Sequence, residues 1–469
     1  MKFKILKNSI LFLTLLLINY ANSQELDLYK PKIIEISKFN KKNNTCLTTE
    51  QRASIAQTLK KSSIKLKLGK TSKTKNVKAN NPLFAWPVKK ADGLNYESAW
   101  GIAQYVDHNL AFSNQIEDYN CGTKTYDTSN YNHPGVDIFT WPFPWKLMDN
   151  DEAEVIAAAP GTIIAKYNGQ YDRNCAFGSG FWNAIFIEHS DGSIAWYAHM
   201  KNGSLSSKNV GEDVIEGEFL GIIGSSGDSL GPHLHFEIHD ADDNIIDPYS
   251  GTCNNFNQES WWQIQKPYNN PNINALLTHS AMPIIPDCPE TETTNESNKF
   301  DIDQTIYFGL YIRDPEIGST ANLKLIQPND LTFDTWDYII EESALQNVLA
   351  SSFYWNRNDL AIVGEWKWEV IYAGKTVTHS FNIERTLSID EKKINDLFVY
   401  PNPADDMISF SSKNIKTATI INIFGETVKL VAQPEGIEKI NISQLPNGLY
   451  FLMTKDLYNK KEIIKLVKK

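Results

Sequence analysis

Cysteine is scarce in this chain of 469 residues, which has five cysteines and no C-x-x-C pair. The absence of that spacing argues against structural zinc sites of the ribbon type and leaves cysteine as a disfavoured alternative for a metal ligand. Scattered cysteines are typical of an oxidising compartment, where we expect two disulfide pairs and one residue left over. The pairing stays open among Cys46, Cys121, Cys175, Cys253 and Cys288.

Excess positive charge and long apolar runs are also missing. Lysine and arginine number 45 against 56 aspartates and glutamates, and the resulting net charge of −11 argues against general binding to nucleic acids or anionic membranes. Beyond residue 23 no apolar segment is long enough for a transmembrane helix.

The N-terminus has the pattern of a signal peptide. Three lysines precede the apolar run 10–18, and small residues at 21–23 offer a cleavage site. The run is too short to span a membrane, and no cysteine lies nearby to carry a lipid anchor. We therefore expect residues 1–23 to be removed and the remainder to be exported as a soluble protein.

The segment that follows is predicted to be partly helical. Thr48 and Gln51 fit a capping box, and Ile55 and Leu59 would then share one face of a short helix. Eight lysines and no acidic residue lie at 60–78, a composition typical of a mobile, solvated stretch.

The strongest chemical signal is a pair of short motifs. Along a strand, alternate side chains share a face, so His233 and His235 would point the same way. Upstream, His133 and Asp137 are separated by a Pro-Gly pair that disfavours a helix and favours a turn. Imidazoles and a carboxylate from separate segments, with one coordination position left for water, are how catalytic zinc is usually held. The pattern predicts a metal-dependent hydrolase.

A hairpin lies between these motifs. Alternating apolar residues flank the turn Asp191-Gly192, and the second strand ends in Tyr197-Ala198-His199. Since H-E-x-x-H is absent, no glutamate is offered as general base, and a histidine that exchanges protons near neutrality would suit that role.

Taken together, H-x-x-x-D, Y-x-H and H-x-H resemble the lysostaphin and LytM type of zinc metallopeptidase over about residues 83–250. The resemblance implies that His133, Asp137 and His235 hold Zn²⁺. It also implies that His199 and His233 are the unligated catalytic pair beside a zinc-activated water, although which of the two is the base stays open.

By the same resemblance, the substrate would be peptide bonds in peptidoglycan stems or cross-bridges, or in glycine-rich proteins. Related domains that regulate cell-wall hydrolases have lost their zinc ligands, so the intact set here disfavours a non-catalytic wall-binding or regulatory protein. A third alternative makes the chain chiefly an adhesin.

His108, His239, His279 and His379 lack motif context and are interpreted as structural, and His189 as support for the sheet.

Residues 286–299 are polar and predict a linker. Beyond them, alternation from Ile306 to Ile312 and from Trp366 to Tyr372 predicts an immunoglobulin-like β-sandwich at 300–386. The C-terminal stretch 395–469 resembles the sorting domain of type IX secretion cargo. The resemblance is carried by Tyr-Pro-Asn-Pro at 400–403, Gly425 after Ile-Phe, the run Leu-Pro-Asn-Gly-Leu-Tyr-Phe and a terminal lysine-rich strand.

The predicted organisation is therefore mainly β. An antiparallel β-sheet metallopeptidase domain at 82–285 follows a pro-segment at 24–81 and precedes the two β-sandwich regions. Export through the periplasm and outer membrane to the surface or medium, contact with the type IX machinery, and a monomeric state are expected.

Relatives of this type are held latent by an asparagine that reaches the metal. Asn43, Asn44 and Asn76 are the candidates for that role here. The alternative is a surface arm without a regulatory role.

Overall fold

The computed structural model describes residues 29–37, 45–69, 81–111, 115–128, 131–178, 180–341, 348–385, 397–411, 414–456 and 461–469. The predicted signal peptide and the three asparagine candidates lie outside these residues. The chain divides into two compact units, Met1–Arg385 and Thr386–Lys469. No helix among the described residues has the length and apolar character needed to cross a membrane.

In the first unit the described helices are α1 Thr49–Gly69 and α2 Pro144–Asp149. The strands are β1 Lys32–Ser37, β2 Val88–Lys90, β3 Trp100–Gln104, β4 Asp127–Thr128, β5 Tyr131–Asn132, β6 Gly135–Thr140, β7 Ala153–Ile156, β8 Gly161–Tyr167, β9 Ala184–Glu188, β10 Ile194–Ala198, β11 Asp213–Val214, β12 Phe219–Ile222, β13 His233–His239, β14 Ile245–Ile246, β15 Asn272–His279, β16 Lys299–Asp301, β17 Ile306–Arg313, β18 Thr320–Ile326, β19 Thr332–Ile339, β20 Val348–Arg357, β21 Gly364–Tyr372 and β22 Lys375–Glu384.

An eight-stranded antiparallel sheet carries the predicted site. Its order is β11-β8-β9-β10-β13-β6-β3, with β14 also paired to β13. His235 on β13 pairs with Asp137 on β6 and with Ala198 on β10, so the sheet register itself brings the separate motifs side by side.

The two faces of this sheet have different partners. On β13, Leu234 and Phe236 turn into the main core, which also contains the small sheet β12-β7-β2. The opposite face carries the site and is covered by α1, because Ile55 and Leu59 pack with Trp196 of β10 in a separate buried cluster. The two faces follow from the strand period of two.

Helix α1 begins as its capping box predicts. The backbone N–H of Gln51 donates to Oγ1 of Thr48 (3.2 Å), and the backbone N–H of Thr48 donates to Oε1 of Gln51 (2.7 Å). These reciprocal bonds satisfy groups that the first helical turn leaves without intrahelical partners.

Two further sheets form a β-sandwich with its own core. One has the order β1-β20-β17-β15 and the other β16-β22-β21-β18-β19. The first sheet includes β1 and β15, which lie in the segments assigned from the sequence to the pro-segment and the peptidase domain. The β-sandwich therefore extends beyond the predicted boundaries 300–386, because the edge strands β1 and β15 of this sheet come from segments distant in the sequence.

The segment predicted as a linker is held against its neighbours. Cys288 forms a disulfide with Cys175, and Glu292 is buried and accepts hydrogen bonds from the backbone N–H groups of Trp145 and Lys146. The second disulfide joins Cys121 and Cys253. Cys46 is left unpaired and buried, as the expectation of two pairs and one leftover cysteine predicted.

The second unit is a small β structure with its own buried cluster. Its strands are β23 Val399–Tyr400, β24 Met407–Phe410, β25 Ile415–Asn422, β26 Thr427–Ala432, β27 Lys439–Asn441, β28 Gly448–Asp456 and β29 Lys461–Lys468. They form the sheets β23-β24-β27 and β26-β25-β28-β29. The prediction of a mainly β protein with β-sandwich regions is confirmed.

Candidate metal centre

Three ligand atoms converge at the pairing of β6 with β13. Oδ1 of Asp137 lies 2.9 Å from Nδ1 of His235 and 3.2 Å from Nε2 of His133, and the two ring nitrogens are 3.3 Å apart. Ligand atoms about 2.1 Å from a tetrahedral zinc ion are about 3.4 Å apart, so the triangle fits that ion. The three residues that the sequence predicted as ligands therefore come together.

Hydrogen bonds on the far side of each ring decide which nitrogen faces the triangle. Nδ1 of His133 donates to the carbonyl of Tyr105 (2.8 Å), and Nε2 of His235 donates to Oε2 of Glu237 (2.9 Å). Each remaining ring nitrogen then directs a lone pair at the Asp137 carboxylate. With both rings neutral, three acceptors at this separation favour a cation between them, and hydrogen bonds on the outer side of the rings orient metal-binding imidazoles.

The pKa values of His235 and Asp137 also indicate that positive charge is stabilised at the triangle. Burial opposes ionisation of both residues. Hydrogen bonds to Asp137 and Glu237 nevertheless raise the pKa of His235 to about 9, and the charges and hydrogen bonds of His133 and His235 hold the pKa of Asp137 well below its usual value.

A glycine lets the imidazole of His235 lie against β6. A Cβ placed on Gly135 would lie 2.7 Å from Cε1 of His235, closer than carbon atoms approach. The glycine of the His-Pro-Gly-Val-Asp motif is therefore required by close packing between β6 and β13.

His199 and His233 lie beside the triangle, with ring centroids 4.4 Å apart. Nδ1 of His199 donates to the carbonyl of Ser226 (2.6 Å), and Nδ1 of His233 donates to the carbonyl of Gly231 (2.9 Å). Nε2 of His233 is 3.8 Å from Oδ1 of Asp137. Nε2 of His199 is fully buried and has no hydrogen-bond partner among the described residues.

These two imidazoles are held in the neutral form. Burial, followed by the neighbouring His233 and His235, lowers the pKa of His199 well below its ordinary value, and burial also lowers the pKa of His233. His199 has a left-handed backbone (φ 63°), a conformation that non-glycine residues adopt rarely and mainly at functional sites.

Glu237 supports the site from behind and was given no role by the sequence. Its carboxylate binds Arg52 of α1 through two hydrogen bonds (2.7 and 3.1 Å) and also accepts from Nε2 of His239 (2.6 Å). Burial opposes its ionisation, yet Arg52 and the two histidines hold the pKa of Glu237 well below its usual value.

His239, assigned a structural role from the sequence, is thus a neighbour of the metal site. The ion pair between Arg52 and Glu237 carries no local signal, since the two residues are 185 positions apart.

Cys46 is the second residue whose place at the site was missed. Its Sγ and ligand atoms of His199 and His235 lie within 4.8 Å of one another, and Tyr126 Oη is 2.8 Å from the sulfur. Burial and the charge of Asp137 raise the pKa of the Cys46 thiol to about 12. The absence of C-x-x-C spacing had made cysteine a disfavoured ligand.

The remaining histidines have partners away from the site. His108 pairs with Asp247, His279 and His379 lie in the β-sandwich region, and His189 donates from Nδ1 to the carbonyl of Pro160. The aromatic loop at 141–145 contributes Trp141 and Phe143 to the main core, so its rings cover buried surface.

Comparisons with known proteins match two segments of the chain to family models. Residues 132–248 match Peptidase family M23, and residues 398–469 match a secretion system C-terminal sorting domain. The DD-carboxypeptidase/endopeptidase Mpg of Neisseria meningitidis is 43% identical over 58 residues, 12% of this chain and 13% of that protein. The cell division protein DipM of Caulobacter vibrioides is 34% identical over 114 residues, 22% of this chain and 18% of that protein.

The chain thus spans less than a fifth of the length of these curated relatives. Among solved structures, the catalytic domain of the antimicrobial peptidase lysostaphin from Staphylococcus simulans is 23% identical, covering 34% of this chain and 96% of that domain with a TM-score of 0.20.

Proposed function

We propose, from the premise that this chain carries a peptidase family M23 domain and a type IX secretion sorting domain, that it is an exported zinc endopeptidase. Its proposed substrates are peptide bonds in the stems or cross-bridges of peptidoglycan. The observation that carries the proposal is the triangle of Nε2 of His133, Oδ1 of Asp137 and Nδ1 of His235 beside two further buried histidines.

The three triangle residues would hold the zinc ion. When bound, zinc supplies Lewis-acid polarisation and lowers the pKa of a water molecule. His199 and His233 each keep Nδ1 bonded to a backbone carbonyl, so each presents Nε2 to the site with a fixed orientation. At Nε2, either imidazole can accept a proton during attack, and the protonated ring can donate to the developing oxyanion or to the leaving amine.

Glu237 would keep the ring of His235 in the tautomer that offers Nδ1. The C-terminal sorting domain indicates export to the cell surface or medium, and the type IX machinery is the partner that it implies.

The test incubates the full chain, before and after limited proteolysis of its N-terminal segment, with purified peptidoglycan sacculi and with a glycine-rich protein. Mass spectrometry of the products identifies the cleaved bonds. We expect cleavage of peptidoglycan peptides that stops on zinc removal and in His235→Ala, with loss of zinc from that variant. Cleavage of the glycine-rich protein alone would mean that the substrate is a glycine-rich protein and not peptidoglycan. Full zinc content in His235→Ala would refute the ligand set.

A further inference from the structure

We propose that Cys46 is a fourth protein ligand of this metal, supplied by the N-terminal segment, and that it keeps the site latent until that segment leaves. The inference rests on the proposed metal site. It differs from the asparagine candidates predicted from the sequence, since the residue that the structure brings to the site is a cysteine.

The first observation is a cluster of donor atoms. The sulfur of Cys46 lies within 4.8 Å of ligand atoms of His199 and His235, and His235 also belongs to the His133–Asp137–His235 triangle. The sulfur is therefore beside the triangle, on the side of His199. A zinc site with three protein ligands has its fourth position open for water or substrate, and this is the position that a thiolate would fill.

The second observation is an unsatisfied atom in the same cluster. Nδ1 of His199 is bonded to the Ser226 carbonyl, whereas its Nε2 is buried and meets no hydrogen-bond partner in the part of the chain that the structure describes. A buried polar atom without a partner is costly, and a nearby ligand or ion is one reason for retaining it. The Nε2 atom is therefore available to a group bound at the cluster that Cys46 forms with His199 and His235.

The third observation is how firmly the cysteine is presented. Leu47 and Ile55 are buried in the cluster that α1 forms with the site face of the sheet. Arg52 is joined to Glu237 by two hydrogen bonds, and its guanidinium lies 5.5 Å from the ring centroid of Tyr131. The segment that carries Cys46 therefore docks through apolar contacts and an ion pair on the residue that orients His235.

Burial shows the consequence of this docking. His133, His199 and His235 are fully buried, and Asp137 and His233 are less than a tenth exposed. A polymeric substrate cannot reach a site enclosed in this way. The part of the segment that carries Cys46 and α1 must undock for the proposed reaction, and release of Cys46 would reopen the fourth position.

The chemistry of the bond is simple. The sulfur binds the metal as the thiolate, so one proton leaves Cys46 as the bond forms, and no oxidant or reductant is needed. The four other cysteines form two disulfides, while this thiol remains free, and metal ligation gives a free thiol in an exported protein a defined role.

The test is spectroscopic and independent of activity. X-ray absorption at the zinc edge of the full, uncut chain should show one sulfur neighbour at about 2.3 Å, and Co²⁺ in place of zinc should give thiolate-to-metal charge-transfer absorption. Both signals should vanish in Cys46→Ser. Ile64→Ala, at an exposed position of α1, is the control that should keep them.

Zinc release to a chelator is the second measurement. Loss of a fourth protein ligand should accelerate release from uncut Cys46→Ser by about tenfold or more, the scale of losing even an outer support of a metal ligand. A site with only nitrogen and oxygen neighbours in the uncut wild-type chain, or unchanged release from Cys46→Ser, would overturn the inference.

Failure of this inference and failure of the proposed function are distinguishable. A sulfur signal in a protein that cleaves nothing after proteolytic release would refute the peptidase and leave the Cys46 ligand standing. Cleavage by the released protein with no sulfur signal in the uncut chain would refute the ligand alone.

Discussion

At the scale of single residues, His235 connects the metal site to the rest of the protein. One ring nitrogen faces Asp137 and the other donates to Glu237, which is in turn held by Arg52. The chain of contacts runs from the metal triangle to the N-terminal helix. A substitution of Arg52 should therefore alter the metal site, although Arg52 is connected to the ligand His235 only through Glu237.

His199→Ala and His233→Ala should retain zinc and lose most activity after release of the N-terminal segment. A positioned acid or base contributes ~10²–10⁴-fold to turnover, and neither residue belongs to the triangle. Zinc content by elemental analysis and turnover on an isolated peptidoglycan peptide check the prediction. Near-native turnover of either variant would remove that residue from the mechanism, and loss of zinc would move it into the ligand set.

Arg52→Met should destabilise the docked segment strongly. The substitution leaves the fully buried carboxylate of Glu237 without its bidentate partner, and breaking a buried ion pair in this way costs about 3–5 kcal/mol. The effect is measured by denaturant unfolding and by zinc release to a chelator.

Lys67→Met is the matched control for Arg52→Met. Lys67 is also a basic residue of α1 paired with a carboxylate of the sheet, Glu188, but its side chain is 65% exposed. Exposed pairs contribute about 0–1 kcal/mol, so this variant should unfold almost as the wild type does. Equal losses in the two variants would mean that burial of Glu237 is not the cause.

At the scale of elements, α1 is held by one face alone. Ile55 and Leu59 are buried against the site face of the sheet, and Ile64 on the same helix is exposed. Because most helical stability in proteins comes from the packing of an apolar face, the order of α1 depends on this contact. The same face covers the metal site, so undocking of α1 would also uncover the site.

Ile55→Ala should loosen α1, whereas Ile64→Ala should not. Ile55 is 1% exposed and Ile64 is 51% exposed. Truncating a buried isoleucine costs about 2–5 kcal/mol, and an exposed substitution changes stability by about 0.5 kcal/mol at most. A loss of about 2 kcal/mol raises the undocked population about 30-fold.

Limited trypsin digestion of the full chain measures that population through the rate of cutting within α1, when reclosing is faster than cleavage. Ile55→Ala should be cut at least about tenfold faster than Ile64→Ala. Equal rates would show that α1 undocks by a route that does not break its contact with the sheet.

At the scale of the whole molecule, the sorting domain and the metal site belong to different compact units. The chain divides at residues 385 and 386, and the C-terminal unit has its own buried core. Deleting residues 395–469 should therefore preserve zinc binding and stop export at the outer membrane.

Fractionation of producing cells checks this prediction, with the protein expected in the periplasm and missing from the surface and medium. Zinc content of the recovered protein is the control for folding. Normal export of the shortened chain would refute the role of the sorting domain.

The sequence by itself determined the features that depend on neighbours along the chain. Strand alternation sets His233 and His235 on one face, and the five candidate residues could be predicted because their short motifs resemble those of a known zinc peptidase family. The capping box of α1 is also local, since Thr48 and Gln51 bond to each other across one helical turn.

Only the tertiary structure decided what lies over and behind those residues. Cys46 reaches the site because α1 docks on the sheet, Arg52 meets Glu237 across 185 positions, and β1 pairs with β20 of the sandwich. Such contacts have no signature in the sequence of either partner. These contacts form because buried charges, apolar faces and sheet edges must all be covered. Which partner covers each of them is decided only when all the elements pack together.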